Sequence, residues 1–318
     1  MNLFFVIVLL LLGFVLLVKG ADMFVDGSSS VARLLKIPAV IIGLTIVAMG
    51  TSAPEAAVSI TAGFTGNNEI AISNVLGSNL FNLMGVVGTC AIIKAFDTDS
   101  TIMKRDYPIN LGLTILLAIF LVGGVIARWE GAILLVLMVG YIALMLRAAL
   151  KDRKAKAAED NKEEEEEKKP MPAWKSIIFI IIGLAGVILG GQLVVNNASA
   201  IASKFGLSEN LIGLTIVAIG TSLPELVTSV VAARKGESGL ALGNVIGSNI
   251  FNILFILGAS SVLNPITITN ENIIDIAILF AVSAIIFIFG LTGKKIHRWE
   301  GILCVLGYVG YTAYIIMR

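Results

Sequence analysis

One stretch of this sequence occurs twice, and it sets a proline and a carboxylate where an apolar chain least tolerates them. Gly43-Leu-Thr-Ile-Val-Ala-Met-Gly-Thr-Ser-Ala-Pro-Glu55 returns 170 positions later as Gly213-Leu-Thr-Ile-Val-Ala-Ile-Gly-Thr-Ser-Leu-Pro-Glu225, with 11 of 13 residues identical. Both copies lie inside long apolar segments. A charged side chain near the bilayer centre costs roughly 2.5–3.5 kcal/mol on insertion scales. One such glutamate is explained by protonation or by a neighbouring lysine; two, in duplicated Thr-Ser-x-Pro-Glu contexts, point to a cation site. Pro54 and Pro224 lack an N–H and clash with the carbonyl four residues back, so each interrupts its helix. Carbonyls freed in this way are tolerated at membrane depth only inside protein or beside a water-filled cavity. Broken helices of this kind are where secondary transporters hold their ions. Thr51, Ser52, Thr221 and Ser222 add hydroxyl oxygens, and Glu55 and Glu225 add charge. Such an all-oxygen set suits hard cations, Ca2+ taking six to eight oxygen ligands.

Composition agrees with an all-α integral membrane protein. Of 318 residues, 57% are hydrophobic and 14% charged, and the mean hydropathy is +0.94. The apolar runs suffice for about ten spans of about 20 residues. Open strands cannot satisfy their backbone in lipid, so all are read as helices. Cys90 and Cys304 stand in apolar runs as small packing residues, and the single histidine, His297, sits among Lys294, Lys295 and Arg298 at a span end. A histidine-ligated metal or haem centre, and a histidine proton relay, therefore lack the residues they need. The first run, Met1 to Val18, has no basic leader or small-residue cleavage site and is read as a retained span.

The expected spans are 2–26, 39–65, 70–93, 107–127 and 130–147, then 176–200, 209–233, 239–262, 273–291 and 299–317. Two further duplications keep the offset of 170: Asn74-Val-Leu-Gly-Ser-Asn-Leu-Phe-Asn82 with Asn244-Val-Ile-Gly-Ser-Asn-Ile-Phe-Asn252, and Arg128-Trp-Glu-Gly131 with Arg298-Trp-Glu-Gly301. The chain is one unit written twice. With five spans per unit, the second copy enters the membrane from the opposite side, which makes an inverted repeat. The expected organisation is a first five-helix repeat over 1–147, a charged cytoplasmic linker over 148–175 and a second, inverted repeat over 176–318. Basic residues set the orientation. With both termini outside and the central loop cytoplasmic, 19 of the 23 Lys and Arg lie in cytoplasmic loops, as the positive-inside rule requires. Within the linker, Glu163 to Glu167 resemble a Ca2+-sensing patch, yet eight acidic residues between 151 and 175 are matched by eight basic ones. A solvated, partly helical linker is the better reading.

Asp22 and Asp26 become Gln192 and Asn196 at the offset of 170. An ion site built on the repeat keeps its charge in both halves, so these two are assigned to the cytoplasmic mouth or to pairing with Lys19. Ser78 and Asn82, like Ser248 and Asn252, are spaced i, i+4 and share a helix face. Gly77 and Gly247 are read as close-approach points between helices.

The paired Gly-Thr-Ser-x-Pro-Glu and Gly-Ser-Asn-x-Phe-Asn segments resemble the α-repeats of the cation/Ca2+ exchanger superfamily, most nearly its prokaryotic Na+/Ca2+ exchangers, over essentially the whole chain. The resemblance implies ten transmembrane helices, the second, third, seventh and eighth enclosing the ions, with the long first and sixth sliding across them. It implies ligands at Ala48 (carbonyl), Thr51, Ser52, Glu55, Ser78 and Asn82, and at Ala218 (carbonyl), Thr221, Ser222, Glu225, Ser248 and Asn252. Ca2+ would be held chiefly by Glu55 and Glu225 with the Thr51 and Thr221 carbonyls. Members of the family, including the K+-dependent ones, often carry Asp where this chain has Asn252, which argues against K+ co-transport. The large Ca2+-binding regulatory domain of animal exchangers is missing from the central loop, so no allosteric Ca2+ sensor is expected.

Charge alone supports exchange. Two glutamates carry −2, which one Ca2+ or two Na+ neutralise, and a neutral loaded site crosses the membrane barrier more readily than a bare one. Further Na+ on neutral oxygens, as the resemblance implies, makes the cycle electrogenic. The expected protein is a non-enzymatic Na+/Ca2+ antiporter of the cell membrane, working by alternating access as a monomer in the bilayer, with no cofactor and no nucleic-acid partner. An H+/Ca2+ antiporter on the same fold is the first alternative, although a proton does not need the duplicated hydroxyls. A passive cation channel is the alternative of another class, against which the broken helices and repeat argue. A membrane metalloenzyme lacks a His-Glu-x-x-His motif.

Overall fold

The computed structural model describes residues 3–66, 69–159, 170–206, 216 and 218–317. The chain is helical, in the order α1 (Leu3–Leu35), α2 (Ala39–Thr51), α3 (Ala53–Thr65), α4 (Glu69–Ile93), α5 (Ile102–Val122), α6 (Arg128–Glu159), α7 (Ala173–Lys204), α8 (Ala218–Thr221), α9 (Leu223–Lys235), α10 (Ser238–Leu263), α11 (Asn270–Gly293) and α12 (Arg298–Met317). Among the described residues, eight helices are long and apolar enough to cross a membrane, and the pair α2–α3, bent by 51° at Ser52, makes a ninth if counted as one span. The matching segment of the second half, expected over 209–233, lies partly outside the described residues.

Polarity sorts the helices into layers. The most apolar stretches of α4 and α10 are 78% and 94% buried, against 22–44% for the six other long helices. These two carry the Asn and Ser residues of the duplicated motifs and fill the centre. The outer helices present large apolar side chains outward, among them Phe4, Val136, Ile181 and Leu306. In water such a belt would be a liability; in lipid it is the expected surface. Trp129, Trp174 and Trp299 stand exposed at the starts of α6, α7 and α12, the usual place of aromatic side chains in spanning helices. The protein is a multi-pass membrane protein.

The same contacts are built twice, with partners exchanged between the halves. Two short antiparallel strand pairs join them: β1 (Phe96–Asp97) with β4 (Lys295–Ile296), and β2 (Val125–Ile126) with β3 (Ile266–Thr267). Adding 170 to either strand of one pair gives, or is given by, a strand of the other. The Arg-Trp-Glu-Gly segments are helix starts. Glu130 accepts the Ala127 N–H, and Glu300 the His297 N–H, each at 2.7 Å, which satisfies backbone donors left over at a helix N-terminus. The glycines that follow let backbones meet: a Cβ on Gly131 would stand 2.8 Å from the Gly258 carbonyl, and one on Gly301 2.6 Å from that of Gly88.

The largest helix pair is α1 against α7, and its seam is made of glycine. A Cβ at Gly20 would lie 2.7 Å from the Val187 nitrogen, and one at Gly190 2.6 Å from that of Leu17. This pairing corrects the expected end of the first span at residue 26. The segment Gly27-Ser28-Ser29-Ser30 stays helical and buried because it packs on α7, with Ser30 Oγ 2.9 Å from Ser176 Oγ and accepting the Met171 N–H at 2.8 Å. At the other end, α6 continues past residue 147 to Glu159, so part of the expected linker is helix. Glu163 to Glu167 lie outside the described residues.

Candidate functional site

The site forms where α2 gives way to α3 and where α8 gives way to α9. Pro54 and Pro224 sit in the first turn of α3 and α9, positions that need no N–H. The breaks fall two residues earlier, at Ser52 and Ser222, which leave helical geometry with ψ near 8°. Proline thus acts as the first turn of a new helix rather than as a kink within one. Glu55 and Glu225 follow at once, each only 1% exposed, in the first turn, where a carboxylate is favoured by the helix dipole.

Each carboxylate is held by the opposite half. Ser52 donates to Glu225 Oε1 at 2.8 Å, and Ser222 donates to Glu55 Oε1 at 2.9 Å. Ser78 is 3.1 Å from the Ser222 hydroxyl, while Ser248 lies 3.5 Å from Glu225 Oε1 and 3.4 Å from the Ala48 carbonyl. Thr51 reaches the same carbonyl at 3.4 Å and donates to Asn244 Oδ1 at 3.1 Å. Ala48, Thr51, Ser52, Glu55, Ser78, Ser222, Glu225 and Ser248 therefore form one cross-linked region. Thr221 closes α8, half-buried beside Ser222, and Ala218 opens it. Asn82 and Asn252 stand at the first turns of π-helical segments in α4 and α10 and are buried. All twelve residues singled out from the sequence lie on the helices around the two breaks.

Four polar atoms around the breaks share one character. Glu55 Oε2, Glu225 Oε2, Asn82 Oδ1 and Asn252 Oδ1 are all buried without a hydrogen-bond partner. Every one is an acceptor, and leaving such a group unmatched costs about 1–3 kcal/mol, more when it is charged. Carboxylate oxygens with hydroxyls and carbonyls alongside are ligands a hard cation takes, and Asn82 and Asn252 offer two amide oxygens on the adjoining α4 and α10. No group of three or more His, Cys, Asp or Glu that could hold a metal occurs among the described residues, so neutral oxygens must supply most of such a shell.

Several supporting residues escape a reading of the sequence. Asn74 donates to Ser59 Oγ at 2.9 Å and to the Glu55 carbonyl at 3.4 Å. Asn244 does the same for Ser229, at 2.9 Å, and for the Glu225 carbonyl, at 3.5 Å. Each asparagine thus ties an inner helix to the glutamate-bearing one. Asn79 donates to the Asn249 carbonyl and Asn249 to that of Asn79. These residues sit in the duplicated segments, and Asn79 is three positions before Asn82, a spacing that also places two residues side by side on a helix. That spacing was the available signal.

The pairing expected of Asp22 and Asp26 needs correction. Asp22 and Asp26 pair not with Lys19 but with Lys235, at the end of α9, at 3.3 and 2.8 Å. Gly247 is a close-approach point, since a Cβ there would lie 2.7 Å from Leu44 Cα; no described residue lies within 4 Å of one at Gly77, whose repeat-related neighbour, Leu214, is outside the described residues.

Both the sequence and the fold match known proteins. The family described as sodium/calcium exchanger protein matches residues 5–147 and 175–317. The chain is 41% identical over 317 residues to CaxA of Alkalimonas amylolytica, named as an antiporter, covering 96% of each chain. It is 34% identical over 336 residues to the sodium/calcium exchanger MaX1 of Methanosarcina acetivorans, covering 95% of this chain and 96% of that one. Among solved structures, the sodium-calcium exchanger NCX_Mj superposes with a TM-score of 0.83 at 33% identity, over 99% of this chain and 100% of the other.

Proposed function

We propose that this chain, which belongs to the sodium/calcium exchanger family, exchanges Na+ for Ca2+ at the paired helix breaks by alternating access. That it is a membrane transporter of the cation/Ca2+ exchange class follows from the family; coupling to Na+, the ligand set and the mechanism are our reading. The observation that carries it is the set of four buried acceptors without partners, Glu55 Oε2, Glu225 Oε2, Asn82 Oδ1 and Asn252 Oδ1. With the hydroxyls of Thr51, Ser52, Ser78, Thr221, Ser222 and Ser248 and the carbonyls of Ala48 and Ala218, they make the ligand set. One Ca2+ or two Na+ neutralise the two carboxylates. Additional Na+ on neutral oxygens gives net charge movement, hence an electrogenic cycle. Asn252 in place of a third carboxylate favours K+ independence.

The topology proposed is ten spans in two inverted five-helix repeats, 1–147 and 176–318, joined by the 148–175 linker. In that topology the bent span α2–α3 is a ninth span, and α8–α9 belongs to a tenth. The repeat exchanges β1–β4 with β2–β3, and these strand pairs fall in loops expected on opposite sides of the membrane. Lys and Arg placement puts both termini outside and the central loop in the cytoplasm. The glycine seam between α1 and α7 leaves a smooth, two-helix body packed across the breaks, the part proposed to slide, in a protein acting as a monomer.

Ca2+ uptake into proteoliposomes, with Na+, K+ or pH gradients supplied one at a time, tests the reading. Uptake driven by an outward Na+ gradient, accompanied by charge movement, is expected. Uptake driven by a pH gradient alone would favour H+/Ca2+ antiport, and uptake with no opposing gradient would favour a channel.

A further inference from the structure

We infer that Asn79 and Asn249 are positioning residues that aim the amide oxygens of Asn252 and Asn82 at the transported cation and thereby set the balance between Na+ and Ca2+. The inference rests on the exchange reading above and assigns a task to two residues outside its ligand set.

Asn79 Nδ2 donates to the Asn249 carbonyl at 3.3 Å, and Asn249 Nδ2 donates to the Asn79 carbonyl at 3.4 Å. A backbone carbonyl only accepts, so each amide has one permitted orientation, with Nδ2 toward the other helix and Oδ1 away from it. That remaining oxygen can only accept as well. Asn79 Oδ1 takes a hydrogen bond from Asn252 Nδ2 at 3.0 Å, and Asn249 Oδ1 takes one from Asn82 Nδ2 at 3.1 Å. Asn252 and Asn82 are therefore forced to turn their oxygens the other way, and those two oxygens are the buried acceptors without partners. All four asparagines are 1% exposed, so no bulk water competes for their orientation. The relay crosses between the halves at every step: 249 to 79 to 252, and 79 to 249 to 82.

An amide turned around would present N–H groups to a cation and repel it. The two carboxylates match one Ca2+ in charge without help. Several Na+ need neutral oxygens in addition, so the aimed amides matter more for Na+. Loss of Asn79 is thus expected to change the ratio of the two affinities, which a general loss of packing would not do.

The test is a double-mutant cycle on the purified full chain, reading Ca2+ binding without Na+ and Na+ binding without Ca2+, with thermal stability as a control. Asn79→Leu and Asn252→Leu should each lower Na+ affinity about tenfold or more and Ca2+ affinity less than about threefold. The double variant should be no weaker than Asn252→Leu alone, whereas Asn79→Leu with Asn82→Leu should combine both losses. Asn79→Ser, too short to reach Asn252, supplies the same cycle with little change in polarity if the leucine variant fails to fold. An equal loss from the position-79 change with and without Asn252, or unchanged Na+ affinity in both position-79 variants, would overturn the assignment while leaving exchange intact. A wild-type protein that binds neither ion would overturn the exchange reading and the assignment together.

Discussion

Ser52 donates its hydroxyl proton to Glu225 Oε1 across 2.8 Å, so the first half of the chain supports the carboxylate of the second. The reciprocal bond from Ser222 to Glu55, at 2.9 Å, makes the two breaks interdependent. Neither glutamate is placed by its own repeat alone. Hydrogen bonds to charged groups contribute about 1.5–3 kcal/mol. Ser52→Ala and Ser222→Ala should each weaken Ca2+ binding by at least about tenfold, and by similar factors because the bonds are equivalent. Equilibrium Ca2+ binding by the two purified variants checks this. A large effect from one serine and none from the other would show that the pairing does not shape the site.

The glycines of the Gly-Ser-Asn segments should respond in opposite ways. A Cβ at Gly247 would meet Leu44 Cα at 2.7 Å, whereas no described residue stands within 4 Å of one at Gly77. Gly247→Ala forces α10 away from α2, at about 1–3 kcal/mol for overpacking. Gly77→Ala gains about 1 kcal/mol of helix propensity at most. Thermal unfolding in detergent should show a lower midpoint for the first and an equal or higher one for the second.

This contrast marks how far the sequence could be read. The duplicated segments identify Glu55, Glu225 and the serines because inheritance from a repeat preserves chemistry. They do not reveal which backbone a glycine such as Gly247 meets, since that depends on neighbours far along the chain. The continuation of α1 to Leu35 was hidden for the same reason: Gly27 to Ser30 read as a polar end until α7 is placed against them. Beyond residue 147, α6 leaves the apolar run that hydropathy detects but keeps an Ala- and Lys-rich stretch with high helix propensity. The partner of Asp22 and Asp26 was equally invisible, because Lys235 is more than 200 residues away.

That charged contact is not carried by the repeat. Lys235 holds Asp22 and Asp26, and Arg33 meets Glu237 at 3.3 Å, while the residues 170 positions away from Asp22, Asp26, Arg33 and Lys235 are uncharged: Gln192, Asn196, Ser203 and Thr65. These pairs tie the α1–α7 body to α9 on the side read as cytoplasmic. Partly exposed pairs contribute about 0–1 kcal/mol, enough for a rate change of up to about fivefold. Lys235→Met should speed ion release toward that side at low ionic strength. The difference should disappear in about 1 M choline chloride, where the screening length falls to about 3 Å. Release rates from one-sided proteoliposomes at two choline chloride concentrations provide the measurement. A difference that persists in high salt would assign it to something other than the ion pairs.

The central claim is that two buried carboxylates, one from each half, together carry the transported charge. Glu55→Gln and Glu225→Gln keep the shape of each side chain and remove half the charge, while relieving a buried-charge cost in the membrane. The most direct test is Na+-driven Ca2+ transport by each variant in proteoliposomes, with thermal stability measured on the same preparations without ions. Both variants should insert and unfold at or above the wild-type temperature, and neither should show Ca2+ transport above background. Exchange at a rate near wild type by either variant would contradict the two-carboxylate site.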